Sequence, residues 1–435
     1  MQALAAHPHL HAPVPSSPLA HGVGSRHDLP LSPFYAYAGA FAALLVSFLA
    51  LGLLWSSSRF RGDLAGRPLP AGLQRMADAP ATRTALRILG AVAALVFLLH
   101  LLLGPDDPDR NPAAGALYVL LWVGLVPASL LLGPVWRLLN PLRALLTLRP
   151  PRSPRPLPSA LGIRPAAAGL LLFTGLELVV PDNSSSATLL IALTVHAGVQ
   201  LLGAARYGDR WFAHADPFEV YSSLLARLSP LGRRTDGRLV LRSPFHGLDA
   251  TPQIPGLVAT VCVLLGSTAY DGLSDNPRWI TTLQTSSLGP TPTATLGLLA
   301  TVALAAACYG LCAGVLRLMN PTVTTPLTSF AHSLLPVALG YLVAHYFSLF
   351  VTEGPRTVIM AGGTDNAPAP APFLGPGGLA TLQVAAIVTG HVLGVVAAHD
   401  RSVRLFPPDR AVAGQLPLFA LMITYTLGGI GLLIA

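Results

Sequence analysis

The 435-residue chain contains no lysine; all 27 of its basic side chains are arginine. Charge of either sign is scarce. Asp, Glu, Lys and Arg together make up 11% of the residues, whereas a soluble domain carries about 25%. Together with a mean hydropathy of +0.59, this excludes an ordinary water-soluble globule. Cysteine is nearly absent. Cys262, Cys308 and Cys312 all lie in apolar segments, and Cys308 and Cys312 share one helical face, where they read as small packing residues. No helix-turn-helix, RNA-binding or zinc-finger signature accompanies the net charge of +8, so nucleic acid is not expected as a partner. Neither a phosphate-binding glycine loop nor a nucleophile-elbow pattern occurs. Residues 1–33 lack a basic region followed by a continuous apolar core and are not a secretory signal. They read instead as a disordered, Pro- and His-rich extracytoplasmic tail, with His7, His9, His11, His21 and His27 able to bind copper or zinc loosely.

What the chain has is apolar length. Ten segments, at 34–55, 86–104, 114–134, 165–181, 187–204, 255–272, 293–316, 331–350, 377–398 and 414–434, lie mostly near the ~20 residues that a bilayer requires. With the N-terminus outside, 23 of the 27 arginines fall on the cytoplasmic side. They are Arg59 to Arg87, Arg137 to Arg164, Arg206 to Arg242, Arg317, and Arg401 to Arg410; only Arg26, Arg110, Arg278 and Arg356 fall opposite. This is the positive-inside pattern. The expected architecture is an all-α integral membrane protein of about ten transmembrane helices, N-out and C-out, forming one polytopic domain over 34–434. The basic loops read as cytoplasmic anchors near anionic lipid. An arginine-only basic set fits a GC-rich bacterium, which places the chain in the bacterial inner membrane.

The loops carry punctuation. Loop 56–85 reads as irregular, 149–163 as a stiff Pro-rich linker, and 351–376 as a loop with no core of its own. The cytoplasmic segment 206–253 has more pattern. Asp216 precedes Pro217, with Glu219 at the third helical position, an acidic capping box with proline at the first helical residue. The helix that follows, over 217–228, is read as amphipathic and lying in the inner interface. Asn140–Pro141 and Asn320–Pro321 repeat the punctuation, as in the broken helices of transporters.

Ionisable residues inside a membrane are functional candidates. Glu177, His196 and His345, with Asp271, fall at overlapping depths on different helices. Two imidazoles and a carboxylate form the ligand set of a catalytic, zinc-like divalent metal with an open position, which would generate hydroxide at neutral pH. Ser267, His345 and Asp271 offer an alternative nucleophilic set. On the inner side, His332 with His391 or His399 is a candidate pair for haem or a proton relay. His332 and His345 lie about 140° apart around one helix and are assigned to different sites.

In "AHGVGSRHDLPL" (20–31), "WRLLNPLRAL" (136–145), "DPFEVYSSLLARLSPLGR" (216–233), "LLGSTAYDGLS" (264–274) and "FAHSLLPVALGYLVAHYFSL" (330–349), the chain resembles a family of bacterial membrane proteins labelled fenitrothion hydrolase. The resemblance implies a polytopic protein that cleaves apolar phosphotriesters reaching the site through the bilayer. It carries no catalytic residue over to this chain. Three functions are therefore weighed: a metal-dependent hydrolase acting on a small apolar molecule, a transporter or permease of a small solute or metal ion, and a haem-binding membrane subunit.

Overall fold

The computed structural model describes residues 32–434 apart from 149, 150, 152, 322, 324, 365, 366, 369, 408 and 409. The histidines of the N-terminal tail lie outside the described residues. Ten long helices follow one another: α1 (Pro33–Leu54), α2 (Pro80–Leu103), α3 (Ala113–Leu132), α4 (Arg164–Leu178), α5 (Ser186–Tyr207), α6 (Leu257–Ser274), α7 (Pro290–Met319), α8 (Pro326–Ala361), α9 (Pro376–Leu405) and α10 (Leu416–Ile434). Proline stands in the first two positions of α1, α2, α4, α7, α8 and α9. There its missing N–H costs no helical bond and its fixed φ starts the turn.

Among the described residues, nine helices are long and apolar enough to cross a membrane. The tenth expected span falls short. α4 has only 15 residues, or about 22 Å of helix at 1.5 Å per residue, against a hydrocarbon core of about 30 Å. Its sequence explains the early stop: Pro181 cannot continue a helix, and Asp182 turns the chain at a positive φ of 52°.

The polarity of the fold is inverted relative to a soluble protein. Leu53, Leu103, Leu202 and Leu318 are 75–82% exposed on the outer surface. Glu177, Asp271, His345, Gln383 and His391 are buried within the bundle. An apolar exterior around a partly polar interior is the arrangement that lipid demands. The most extensive helix contact joins α8 to α9 through small residues. A Cβ on Gly340 would lie 2.6 Å from the Ala386 carbonyl, and one on Gly390 2.5 Å from that of Pro336. Without side chains at these points the two backbones approach closely, as membrane helices do.

Two departures from regular geometry shape the bundle. Residues 116–123 of α3 are π-helical, with the Gly124 N–H donating to the Val119 carbonyl at 2.9 Å. One extra residue per turn rephases the helix, and such stretches gather at functional sites. The second concerns the segment after α5, where the structure corrects the sequence reading. The helix Pro217–Leu225 does not lie on the surface. All its residues except Ser223 are buried. Tyr221 stacks on Trp122 of α3 at 4.4 Å between ring centroids, and Phe218 meets Phe173 of α4 at 5.1 Å. The apolar residues are not confined to one stripe, so the helix is satisfied only when it is covered all round. The helix therefore folds back into the bundle.

At the Arg-rich end, three short antiparallel strands form a cap: β1 (Arg67–Pro68), β2 (Leu231–Arg233) and β3 (Leu239–Leu241), ordered β1–β3–β2. Segment 56–85, expected to be irregular, thus contributes a strand and the short helix Ala71–Asp78. The turn Arg234–Gly237 closes the β2–β3 hairpin, with Gly237 at a φ of 80°. On the opposite side, α8 continues as helix to Ala361, eleven residues into the expected loop 351–376.

Candidate functional site: a buried carboxylate, imidazole and phenol cluster

Asp271 occupies the last turn of α6 and is 2% exposed. Two neighbours on α8 converge on its Oδ2. The Tyr346 hydroxyl donates to it at 2.7 Å, and His345 Nε2 lies 2.7 Å away. Among the described residues His345 Nε2 forms no hydrogen bond, so this close contact is electrostatic in character. The His345 and Tyr346 rings meet edge to face at 4.9 Å. The Asp271 carbonyl accepts from Ser274 Oγ at 2.6 Å, which ties the last turn of α6 to itself.

Glu177, in the last turn of α4, is the second carboxylate of the cluster. It is buried, within electrostatic reach of Asp271, Tyr118, Tyr221 and Tyr346. Among the described residues its Oε2 has no hydrogen-bond partner, and neither does the nearby Tyr221 hydroxyl. The backbone around Glu177 is held firmly. Asn183 Nδ2 donates to the Glu177 carbonyl at 2.5 Å, and the Tyr118 hydroxyl donates to the Asn183 carbonyl at 2.9 Å. Tyr118 stands in the π-helical stretch of α3, so the irregular turn presents it towards α4. Three groups able to take or release a proton therefore meet three buried phenols, one from α8 itself and two from further segments, α3 and the helix Pro217–Leu225.

The structure brings Asp271, His345 and Glu177 into one region, but His196 lies elsewhere. Its ring faces Phe218 at 5.9 Å and it is within electrostatic reach of Asp216. Among the described residues, no group of three His, Cys, Asp or Glu side chains is placed to hold a metal ion. The expected Glu177–His196–His345 ligand set is therefore not assembled. Depth alone suggested it, and depth does not say which helices are neighbours. Ser267 Oγ donates to the Leu264 carbonyl of its own helix at 3.3 Å, and among the described residues no hydrogen bond joins it to His345.

The inner histidines do not form a pair. His332 is buried and hydrogen-bonds the backbone at Ser329 and Ala397. His391 Nδ1 pairs with the Ile387 carbonyl at 2.8 Å, while Tyr341 packs edge-on against its ring at 5.5 Å. His399 has both nitrogens engaged, Nδ1 with Gln415 and Nε2 with the Trp55 carbonyl at 2.8 Å. Only His391 Nε2 lacks a partner among these rings, so a two-histidine haem site does not fit these residues. Asp400 beside them is a lock, accepting from Ser58 Oγ at 2.8 Å, the Arg59 N–H at 2.6 Å and Arg404 at 3.1 Å.

Compared with protein-family models, curated proteins and solved structures, the chain shows no match.

A second buried polar cluster ties the broken helices together. Asn140 caps the helix Pro141–Leu148, its Oδ1 accepting from the N–H groups of Leu142 and Arg143 at 3.0 and 3.2 Å. Asp216 caps Pro217–Leu225, its Oδ1 accepting from the Glu219 N–H at 2.9 Å. The two caps bond to each other, Asn140 Nδ2 to Asp216 Oδ2 at 2.8 Å. The third punctuation residue differs. Asn320 sends its amide to the Leu405 carbonyl at 3.2 Å, and the next helix starts only at Pro326. Beside the paired caps, Arg143 contacts Glu219 at 3.4 Å and Asp209 at 3.2 Å. Burial pushes the Glu219 carboxyl up to about 7, with the Arg143 charge opposing the shift. Burial also raises Asp216 and lowers Arg143.

Tyr346, Tyr118 and Tyr221 were not anticipated in the sequence. Tyr346 stands next to His345 in "AHYFS", and adjacency to a membrane histidine is the one signal that could have found it. Tyr118 depends on a π-helical turn and Tyr221 on the fold-back of 217–225, neither of which leaves a periodic trace.

Proposed function

We propose that this chain is a multi-pass transporter of the bacterial inner membrane, N-terminus outside, that moves a small solute or ion in exchange with protons bound at Glu177, Asp271 and His345. The supporting observation is the Asp271 carboxylate held by Tyr346 and His345 beside a second carboxylate, Glu177, whose Oε2 has no partner among the described residues. Ionisable groups buried in a membrane bundle are costly and mark proton and substrate paths. Two carboxylates close together in a dry site do not readily hold two negative charges, so the cluster exchanges protons with whatever else enters it. The fold-back helix Pro217–Leu225 and the π-helical turn of α3 supply the irregular backbone that transporters place at such sites.

In this reading, Asp271 is the central proton acceptor. Tyr346 and His345 orient it, and Glu177 is the group open to a substrate or cation. The test is flux into proteoliposomes carrying an internal pH dye, with zinc, nickel and small organic cations offered outside. Solute-driven proton movement that falls at least tenfold in Asp271→Asn and in Glu177→Gln supports the reading. Movement unchanged in both variants removes it.

The sequence resemblance supports a second reading, hydrolysis of an apolar phosphotriester. In it, His345 beside Asp271 takes the proton from an attacking water. Release of nitrophenol from a dialkyl nitrophenyl phosphate by the purified protein, abolished in His345→Ala, would favour it over transport.

A further inference from the structure

An open cleft of about 650 Å³ lies in the cap at the Arg-rich end, away from the buried cluster. Arg67, Leu241, Arg242, Ser243 and His246 line it. Its electrostatics are one-sided. Arg242 and the neighbouring Arg227 share a single carboxylate, Asp63, at 2.6 and 3.7 Å. Arg67 is exposed on β1 and, among the described residues, has no ion-pair partner. Arg227 lies beside the lining, and Asp249 is within electrostatic reach of His246. Arg242 is 8% exposed, and its Nε is buried without a hydrogen-bond partner among the described residues. His246 Nδ1 accepts from the Arg61 N–H at 3.1 Å, which leaves Nε2 carrying the ring proton as a donor. Ser243 is exposed and adds a hydroxyl.

Donors of this kind, with the planar fork of Arg67 not engaged by an acid among the described residues, suit a tetrahedral oxyanion. The volume lies within the range of ligand sites. The rim adds a second character. Leu241, in the lining, is 52% exposed. The short helix Ala71–Asp78 is fastened beside β3 by Gln74, which donates to the Leu239 carbonyl and accepts from the Leu239 N–H. On that helix Leu73 and Met76 are 44% and 60% exposed. A basic cleft with an apolar shoulder matches a headgroup and the start of its acyl chains.

We infer that this cleft binds a phosphate-bearing anion, seated between Arg67 and Arg242, with the apolar rim favouring an anionic phospholipid headgroup over a soluble phosphate. The test uses the full chain purified in detergent. Native mass spectrometry follows binding of phosphatidylglycerol and phosphatidylcholine, and thermal unfolding follows addition of inorganic phosphate. Phosphatidylglycerol is expected to be retained over phosphatidylcholine. Arg67→Gln is expected to weaken it about tenfold, the loss of one charge-assisted hydrogen bond, with recovery in Arg67→Lys. Inorganic phosphate binding that is lost in Arg67→Gln, with no preference between the two lipids, would keep the anion site and assign it to a soluble phosphate. Equal retention of both lipids and an unchanged response to phosphate in Arg67→Gln, in protein that elutes as a single folded species, overturns the proposal. Arg67 is exposed on a short strand, so its replacement leaves the fold in place.

Discussion

At the residue scale, the chemistry gathers on a few side chains that lipid-buried helices would otherwise exclude. Asp271 accepts from Tyr346 and touches His345, and each neighbour is expected to matter differently. In Tyr346→Phe the hydroxyl is lost with little change in volume, leaving the carboxylate with one contact fewer. Proton-coupled flux is expected to fall while the protein still elutes as a folded species, and full flux in this variant would show that the phenol does not orient Asp271. Glu219 offers a prediction in solution pH. Its carboxyl is held near 7 in the fold against about 4.3 in an open chain. The folded state therefore binds the proton more tightly than the unfolded one. Its contribution is full below about pH 4 and is lost as pH rises through 7. Thermal unfolding in detergent should show stability declining from pH 5 to pH 8, with a shallower decline in Glu219→Gln; identical slopes would remove Glu219 as the cause. Residue identity and approximate depth were readable for Asp271, His345 and Glu177. Their company was not, because hydropathy gives depth along one helix and says nothing of which helix lies alongside. The same limit put His196 with the wrong partners.

At the element scale, caps and close contacts do most of the positioning. Asp216 satisfies the Glu219 N–H and also receives the Asn140 amide, joining two broken helices. Asp216→Ala removes both bonds, and a loss of about 1–2 kcal/mol is expected from chemical or thermal unfolding, the upper range for a cap. A loss no greater than in Asn276→Ala, at the cap of the exposed helix Pro277–Thr285, would mean that the link to Asn140 adds nothing. α8 and α9 pack through Gly340 and Gly390, and Gly390→Val places branched carbon against the Pro336 carbonyl. About 1–3 kcal/mol of overpacking is expected there, read as a lower unfolding temperature. Apolar length and proline starts made the long helices legible in the sequence. α4 was over-read because Val179 and Val180 are apolar although the chain has already begun to turn. The helix 217–225 was misplaced because amphipathic and fully covered helices differ only by a few residues at this length. Cap residues at Asn140 and Asp216 were visible, but their mutual hydrogen bond spans 76 positions and has no local signature.

At the scale of the whole molecule, the apolar exterior argues a lipid environment, and the proposed orientation rests on the arginine distribution alone. With the native cysteines replaced, Ser287→Cys in the loop between α6 and α7 should react with a membrane-impermeant maleimide in intact spheroplasts. Thr235→Cys in the β2–β3 turn should react only after permeabilisation. The reverse pattern would invert the molecule and place the Arg-rich cap outside. Orientation bears on the chemistry, since the proposed one would put the Glu177–Asp271 cluster in the outer half of the bundle and the basic cleft on the cytoplasmic face.

The central claim is that the buried cluster exchanges protons. Infrared difference spectra of the reconstituted protein between two pH values report carboxyl groups directly. A carboxyl carbonyl band that changes with pH in the wild type, and is lost in both Glu177→Gln and Asp271→Asn, is the predicted result. A pH-invariant carboxyl region in the wild type would contradict it, leaving Glu177, Asp271 and His345 as structural polar contacts.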